Sequence, residues 1–194
     1  MKKRIALYVR SVLSLLHMAA VKLFNIRGFF SEPVQDFSLG TRFSLSGGGK
    51  IFLKKHIHTR RNVLFDADGG TVRIGEGCFF NSGCAVVSKE SVLIGDYTSF
   101  GPNTVVYDHD HNIRSNLSIH DSGFVTSPVS IGKNVWVGAN CVILRGTILG
   151  DGCVVGAGSV IKGVYPPDTV IIQRREESVK TRENINGKDV VKVD

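Results

Sequence analysis

A triangular solenoid of short parallel strands is the fold this sequence predicts, preceded by a helix and interrupted by one extruded loop. Three observations carry it. From Ile131 to Pro166 the chain runs IGKNVW VGANCV ILRGTI LGDGCV VGAGSV IKGVYP, so Ile131, Val137, Ile143, Leu149, Val155 and Ile161 put an aliphatic residue at every sixth position. Gly follows it in four of the six blocks, and a small residue or Val holds the fifth position in five of the six. The same frame opens upstream, with IGEGCF at Ile74 and FNSGCA at Phe80. A period of six is not a multiple of 3.6, which excludes a helix. It is the signature of a hexapeptide β-helix, one short face per block and three blocks per coil. The aliphatic residue and the small fifth residue point inward and stack from coil to coil. Gly after the aliphatic residue suits a corner that turns sharply or takes a positive φ.

The stretch NVWVGANCVILRGTILGDGCVVGAGSVI resembles the C-terminal coils of the left-handed β-helix acyltransferases of the hexapeptide-repeat family. The resemblance covers the chain from about Thr71 to Pro167, and within the family it points to the galactoside, maltose and polysaccharide-biosynthesis O-acetyltransferases. It implies a left-handed parallel β-helix of about five or six coils, near 25 Å long at about 4.8 Å per coil. It also implies acetyl-CoA as acyl donor, a sugar or glycan acceptor, and a homotrimer.

The 194 residues suit one domain with appendages: 1–30 a basic amphipathic helix, 31–170 the β-helix with its loop at 107–130, and 171–194 a basic tail. A formal net charge of +7 admits nucleic acid, an acidic membrane surface or an anionic ligand. No aromatic residues interleave with a basic stripe and no reading motif appears, which argues against nucleic acid. Cys78, Cys84, Cys141 and Cys153 all fall at the fifth position of a block, so each is expected to be a buried, reduced thiol filling the coil, as suits a cytoplasmic protein. Their spacing follows the repeat and not a metal pattern.

Residues Lys2 to Asn25 read as a helix, with Ile5, Val9, Val12, Leu13, Leu16, Ala20 and Leu23 on an apolar stripe and Arg10, Ser14 and His17 on a polar one. Arg10 inside the apolar run argues against a signal peptide, and Arg10, His17 and Lys22 argue against a membrane span. Two readings remain: a helix packed on the solenoid end or the trimer, and a helix lying peripherally on the inner membrane face. From Ser31 to Gly70 the frame is degenerate, kept by Leu39, Leu45, Ile51, Ile57 and Val63, and irregular capping coils are expected. His56 and His58 in KKHIH read as part of a solvated face. After Val86 a two-residue slip resets the frame at Ile94, and it stops at Val106. Tyr107 to Ser130 has no hexapeptide pattern, yet the repeat resumes in phase at Ile131. That marks a loop extruded from a rigid corner, where function is expected.

The loop opens Asp108-His109-Asp110-His111, a composition suited to acid–base chemistry. The family resemblance, matched without gaps from Pro102-Asn103, puts the catalytic general base on His111 and an acceptor-site Asn on Asn81. Asp108 or Asp110 would orient the imidazole, and His109 is the rival base. For the donor, the resemblance points to Ala139, Ala157 and Lys162, with Trp136 opening a face beside the loop. After Pro166-Pro167-Asp168 the family's Gly-Asn-Pro-Ala-Lys-like turn is replaced by Ile171 to Glu176, leaving Arg174, Arg175 and Lys180 as substitute charge for the coenzyme phosphates. No metal is expected. The alternatives are N-acetylation of an amino sugar or antibiotic, a γ-carbonic-anhydrase-type metalloenzyme, which the confinement of His109, His111 and His120 to one loop argues against, and a non-catalytic scaffold.

Overall fold

The computed structural model describes residues 2–38, 40–114, 117–174, 178–179 and 191–192. Helix α1 (Lys2–Phe24) precedes a left-handed parallel β-helix of about six turns. Its first face stacks Phe29–Ser31, Lys50–Leu53, Thr71–Ile74, Ser91–Ile94, Val129–Ile131, Ile148–Leu149 and Val164–Tyr165. The second stacks His58–Thr59, Phe79–Phe80, Ser99–Phe100, Trp136–Val137, Val154–Val155 and Val170–Ile171, and the third runs from Arg42–Ser46 to Val160–Ile161. The chain visits the faces in that order on every coil. Three edges result, and the first, second and third edges are those that follow the correspondingly numbered faces.

The inward ladders are the predicted ones. Ile74, Ile94, Ile131 and Leu149 are in register on the first face, and Val86, Val106, Ile143 and Ile161 on the third, all buried. Phe80 and Phe100 stack ring on ring, 4.9 Å between centroids. All four cysteines are free and buried, and each thiol donates to a carbonyl of the next corner, as Cys78 to Gly95 O at 3.1 Å. Burial pushes the thiols of Cys78 and Cys84 up to about 11.

The corner takes two residues to build where the sequence pointed to one. Gly at the second position does not have a positive φ; it is required by close approach. A Cβ on Gly138 would sit 2.6 Å from Ala157 N, and one on Gly101 2.5 Å from Ala139 N. The left-handed residue is the fourth of the block: Tyr97, Asn103, Asn134 and Asn140 have φ of 54° to 60°, and Gly77, Gly83, Gly146, Gly152 and Gly158 share the region.

One N-terminal expectation is corrected. The stretch from Lys50 to Gly70 is not irregular, since Ile51, Leu53, Ile57, Val63, Phe65 and Ala67 are fully inward. Its third-face strands, Arg42–Ser46 and Leu64–Asp68, are simply longer, and the extra residues conceal a strict six-residue frame. Phe43 and Leu45 are both half-buried and both inward, opposite Phe65 and Ala67, while Leu39 lies outside the described residues. Helix α1 packs on the solenoid end through a mixed side of Ser14, His17, Met18 and Val21, and turns its main apolar stripe outward. Phe37 N–H donates to Ser14 Oγ at 2.9 Å, Met18 is buried, and His17 lies against Phe43. The end coil exposes backbone groups that only a polar side chain satisfies. In KKHIH, His58 Nδ1 lies 2.5 Å from Asp36 and His56 Nδ1 lies 3.6 Å from Glu76. At the other end the Gln173 amide bonds both N–H and C=O of Val160, completing the last rung of the third face.

Candidate active site

The chain leaves the solenoid at the third edge after Tyr107 and returns at Val129, which is already buried on the first face. The loop is therefore shorter than the span 107–130, and it is not patternless. His109–His111 and Phe124–Thr126 form an antiparallel hairpin, His109 opposite Thr126 and His111 opposite Phe124. Period-two alternation puts His109 and His111 on one side of their strand and Asp110 on the other. The Phe124 ring lies 5.3 Å from the His109 ring and 4.8 Å from the His111 ring, and Lys89 Nζ sits 3.9 Å from the Phe124 centroid.

Asp108 is the anchor of this arrangement. It continues the inward alternation of Val106 and is fully buried. Its carboxylate accepts from Ser88 Oγ at 2.7 Å and from the N–H groups of Lys89 and Glu90, both at 2.8 Å. His109 Nδ1 lies 3.0 Å from Asp108 Oδ1. An ionised carboxylate can only accept, so His109 carries its proton on Nδ1 and leaves Nε2 as the basic nitrogen. Burial by itself would raise the Asp108 carboxyl, but the hydrogen bonds from Lys89, Ser88, Glu90 and His109 outweigh it and hold the group below its ordinary value. Asp110 is turned away, onto Arg145 Nε at 2.5 Å.

Neither carboxylate named as an orienting group is hydrogen-bonded to His111: Asp108 lies against His109, and Asp110 against Arg145. Among the described residues His111 makes no side-chain hydrogen bond, and its exposed ring rests on Phe124 alone. Lys89, Phe124 and Arg145 were not singled out from sequence. The two-residue slip at 88–91 was the available signal for Lys89, because it lengthens the third edge directly below the loop.

Asn81 lies elsewhere, at the second edge, and its Oδ1 accepts from Ser82 N–H at 2.8 Å. It occupies the second position of its block, where Gly101, Gly138 and Gly156 stand above it on the same edge. Ala139 and Ala157 are on this edge too, at the position after those glycines. Lys162 is at the third edge and exposed, and Arg174 is exposed just past the last rung of the second face. Arg175 and Lys180 lie outside the described residues. Trp136 does not flank the loop: it is on the second face, which borders the first and second edges, and it is 57% exposed. The six-residue frame shows that a side chain points outward but not which of three faces it leaves.

One copy of the chain thus separates the proposed residues onto two edges of a prism. The third edge holds His109, His111 and Lys162, and the second holds Asn81, Ala139 and Ala157. Among the described residues no group of three or more His, Cys, Asp or Glu side chains is placed to hold a metal ion. No described helix is long and apolar enough to cross a membrane.

Comparison with known proteins agrees with this architecture. A family profile described as hexapeptide repeat of succinyl-transferase matches residues 128–162. The putative lipopolysaccharide biosynthesis O-acetyl transferase WbbJ of Escherichia coli K12 is 36% identical over 136 residues, 63% of this chain and 67% of that protein. The galactoside O-acetyltransferase of the same organism is 32% identical over 102 residues, covering 53% of this chain and 50% of its own length. The chain thus spans about half to two thirds of these two curated relatives. Among solved structures, the hexapeptide-repeat acetyltransferase VCA0836 of Vibrio cholerae, complexed with acetyl coenzyme A, superposes with a TM-score of 0.51 at 27% identity, over 68% of this chain and 64% of that one. With its ladder of inward aliphatic residues, its paired corner positions and these relatives, the chain belongs to the hexapeptide-repeat, left-handed β-helix acyltransferase family.

Proposed function

We propose that the chain transfers the acetyl group of acetyl-CoA to a hydroxyl of a sugar or surface-polysaccharide precursor, by direct attack in a ternary complex. The observation that carries this is the hairpin: a rigid solenoid edge holds two imidazoles on one side of a strand, one of them open to solvent. His111 is the base. Its exposed ring can reach an acceptor hydroxyl and take the proton as the oxygen attacks, a contribution of about 10²–10⁴-fold. His109, held by Asp108 and packed against Tyr107 and Phe124, stiffens the strand that presents His111.

Asn81 binds the acceptor or donates to the developing oxyanion. It is a polar side chain at a position where the next three coils have Gly101, Gly138 and Gly156, while Arg60 holds the same position in the coil below. Because Asn81 and His111 are on different edges, the complete site needs the second edge of one copy beside the third edge of another, as a trimer of parallel prisms provides. The donor fits the same groove. Ala139 and Ala157 keep the second edge low enough for an extended chain to approach the backbone, exposed Trp136 supplies apolar surface, and Lys162 and Arg174 supply positive charge for phosphates. Acetyl-CoA, when bound there, supplies an activated thioester; the proton taken by His111 passes to the departing thiolate.

The relatives' names favour a sugar hydroxyl as acceptor. The test is thiol release from acetyl-CoA against a panel of hydroxyl and amino acceptors, with His111→Ala as control. Turnover on amino sugars alone would replace the O-acetyl reading by the N-acetyl one, and no turnover with any acceptor would overturn it.

A further inference from the structure

Helix α1 docks on the solenoid the wrong way round for an ordinary surface helix. Such a helix buries its apolar stripe and shows water its polar one. Here Ser14, Met18 and half-buried His17 face the end coil, and Val9, Val12, Leu13, Leu16, Leu23 and Phe24 face out. Leu16 is 63% exposed, Leu23 68% and Phe24 84%. At about 100° per residue these six fall within one continuous sector of roughly 120°, opposite the docked side. A continuous apolar stripe of this size marks a surface that something covers.

The charge of the segment says what. Residues 2–27 contain Lys2, Lys3, Arg4, Arg10, Lys22 and Arg27 and no Asp or Glu. Exposed Arg27 follows the apolar stripe at its C-terminal end, whereas Lys22 Nζ turns to the solenoid, donating to Phe29 O at 3.1 Å beside the Phe30 ring. Burying the stripe against the same stripe of a second copy would bring two wholly cationic segments together with no acidic partner. An anionic lipid surface offers both requirements at once, apolar depth for the leucines and negative headgroups for the flanking cations. We infer that α1 lies in the plane of an anionic bilayer surface and attaches the solenoid to it by its end. The helix is too polar to cross, and the hairpin leaves the solenoid several coils away, so this attachment keeps the third edge in water.

Vesicle co-sedimentation of the full chain tests it, with phosphatidylcholine alone and with phosphatidylcholine mixed with phosphatidylglycerol. Retention is expected on the mixed vesicles and not on the neutral ones, and it should fall as salt is raised. Leu16→Glu/Leu23→Glu replaces exposed residues, so its thermal transition should match the parent while its partition falls at least about tenfold. Arg27→Gln should weaken retention about severalfold on the anionic vesicles. Equal retention on both vesicle types, or no retention on either, overturns the inference. So does a lipid-free, concentration-dependent assembly that disappears in the Leu16→Glu/Leu23→Glu variant, because a second copy is then the occupant. Activity on a soluble acceptor is a separate readout, so failure here leaves the acetyl-transfer reading standing.

Discussion

Asp108 and His109 are sequence neighbours that divide between the inside and the outside of the solenoid wall, joined across it by a 3.0 Å contact from the His109 Nδ1 to the buried carboxylate. That carboxylate also receives Ser88 Oγ and two backbone N–H groups, so it ties the base of the hairpin to the coil below. Asp108→Asn leaves one or more of these donors without an acceptor and should cost about 1–3 kcal/mol. The sign of the pH effect follows from the lowered folded-state pKa. The stabilisation is complete above the unfolded carboxylate value and is lost as pH falls through the folded one. Chemical denaturation between neutral and acidic pH should show a shallower acid limb in the variant than in the parent.

The two histidines should separate by which quantity they move. His111→Ala removes an exposed ring, and we expect turnover to drop by about 10²–10⁴-fold with little change in thermal stability. His109→Ala empties a site packed between Tyr107 and Phe124, and it should lower the melting temperature as well as activity. The opposite pattern, near-normal turnover in His111→Ala and a loss confined to kcat in His109→Ala, would make His109 the base.

Placement of Asn81 and His111 on different edges makes a mixing experiment decisive. If one copy supplies Asn81 and its neighbour His111, co-assembled Asn81→Ala and His111→Ala chains rebuild intact sites at roughly a quarter of random interfaces. Activity should then return on unfolding and refolding the two inactive variants together. No recovery in verified mixed oligomers would mean that both residues do not serve one shared site.

Corner chemistry predicts a contrast two residues apart. Gly138→Val puts a side chain 2.6 Å from Ala157 N, against backbone that cannot yield, and should destabilise by about 1–3 kcal/mol or more. Asn140→Gly keeps the left-handed φ of 54° available and should change stability by well under about 1 kcal/mol. Paired denaturation curves check this, and equal losses would refute the division of labour within the corner.

What the sequence determined by itself was everything local to the repeat. Ile131 to Ile161 declare the inward ladder because inward and outward alternate within each short strand, and Cys141 and Cys153 are recognisable as core at fixed block positions. The loop was visible because a strict period makes its own interruption conspicuous. Tertiary structure decided what depends on which coils and faces meet. Asp108 finds Ser88 twenty residues away and Asp110 finds Arg145 thirty-five away, pairings set by coil length and loop exit rather than by neighbouring residues. The same is true of Trp136, whose face follows from counting strands around the prism, and of α1. Its stripe was legible from spacing, yet which side turned outward was settled by the hydrogen-bonding needs of the end coil at Phe37.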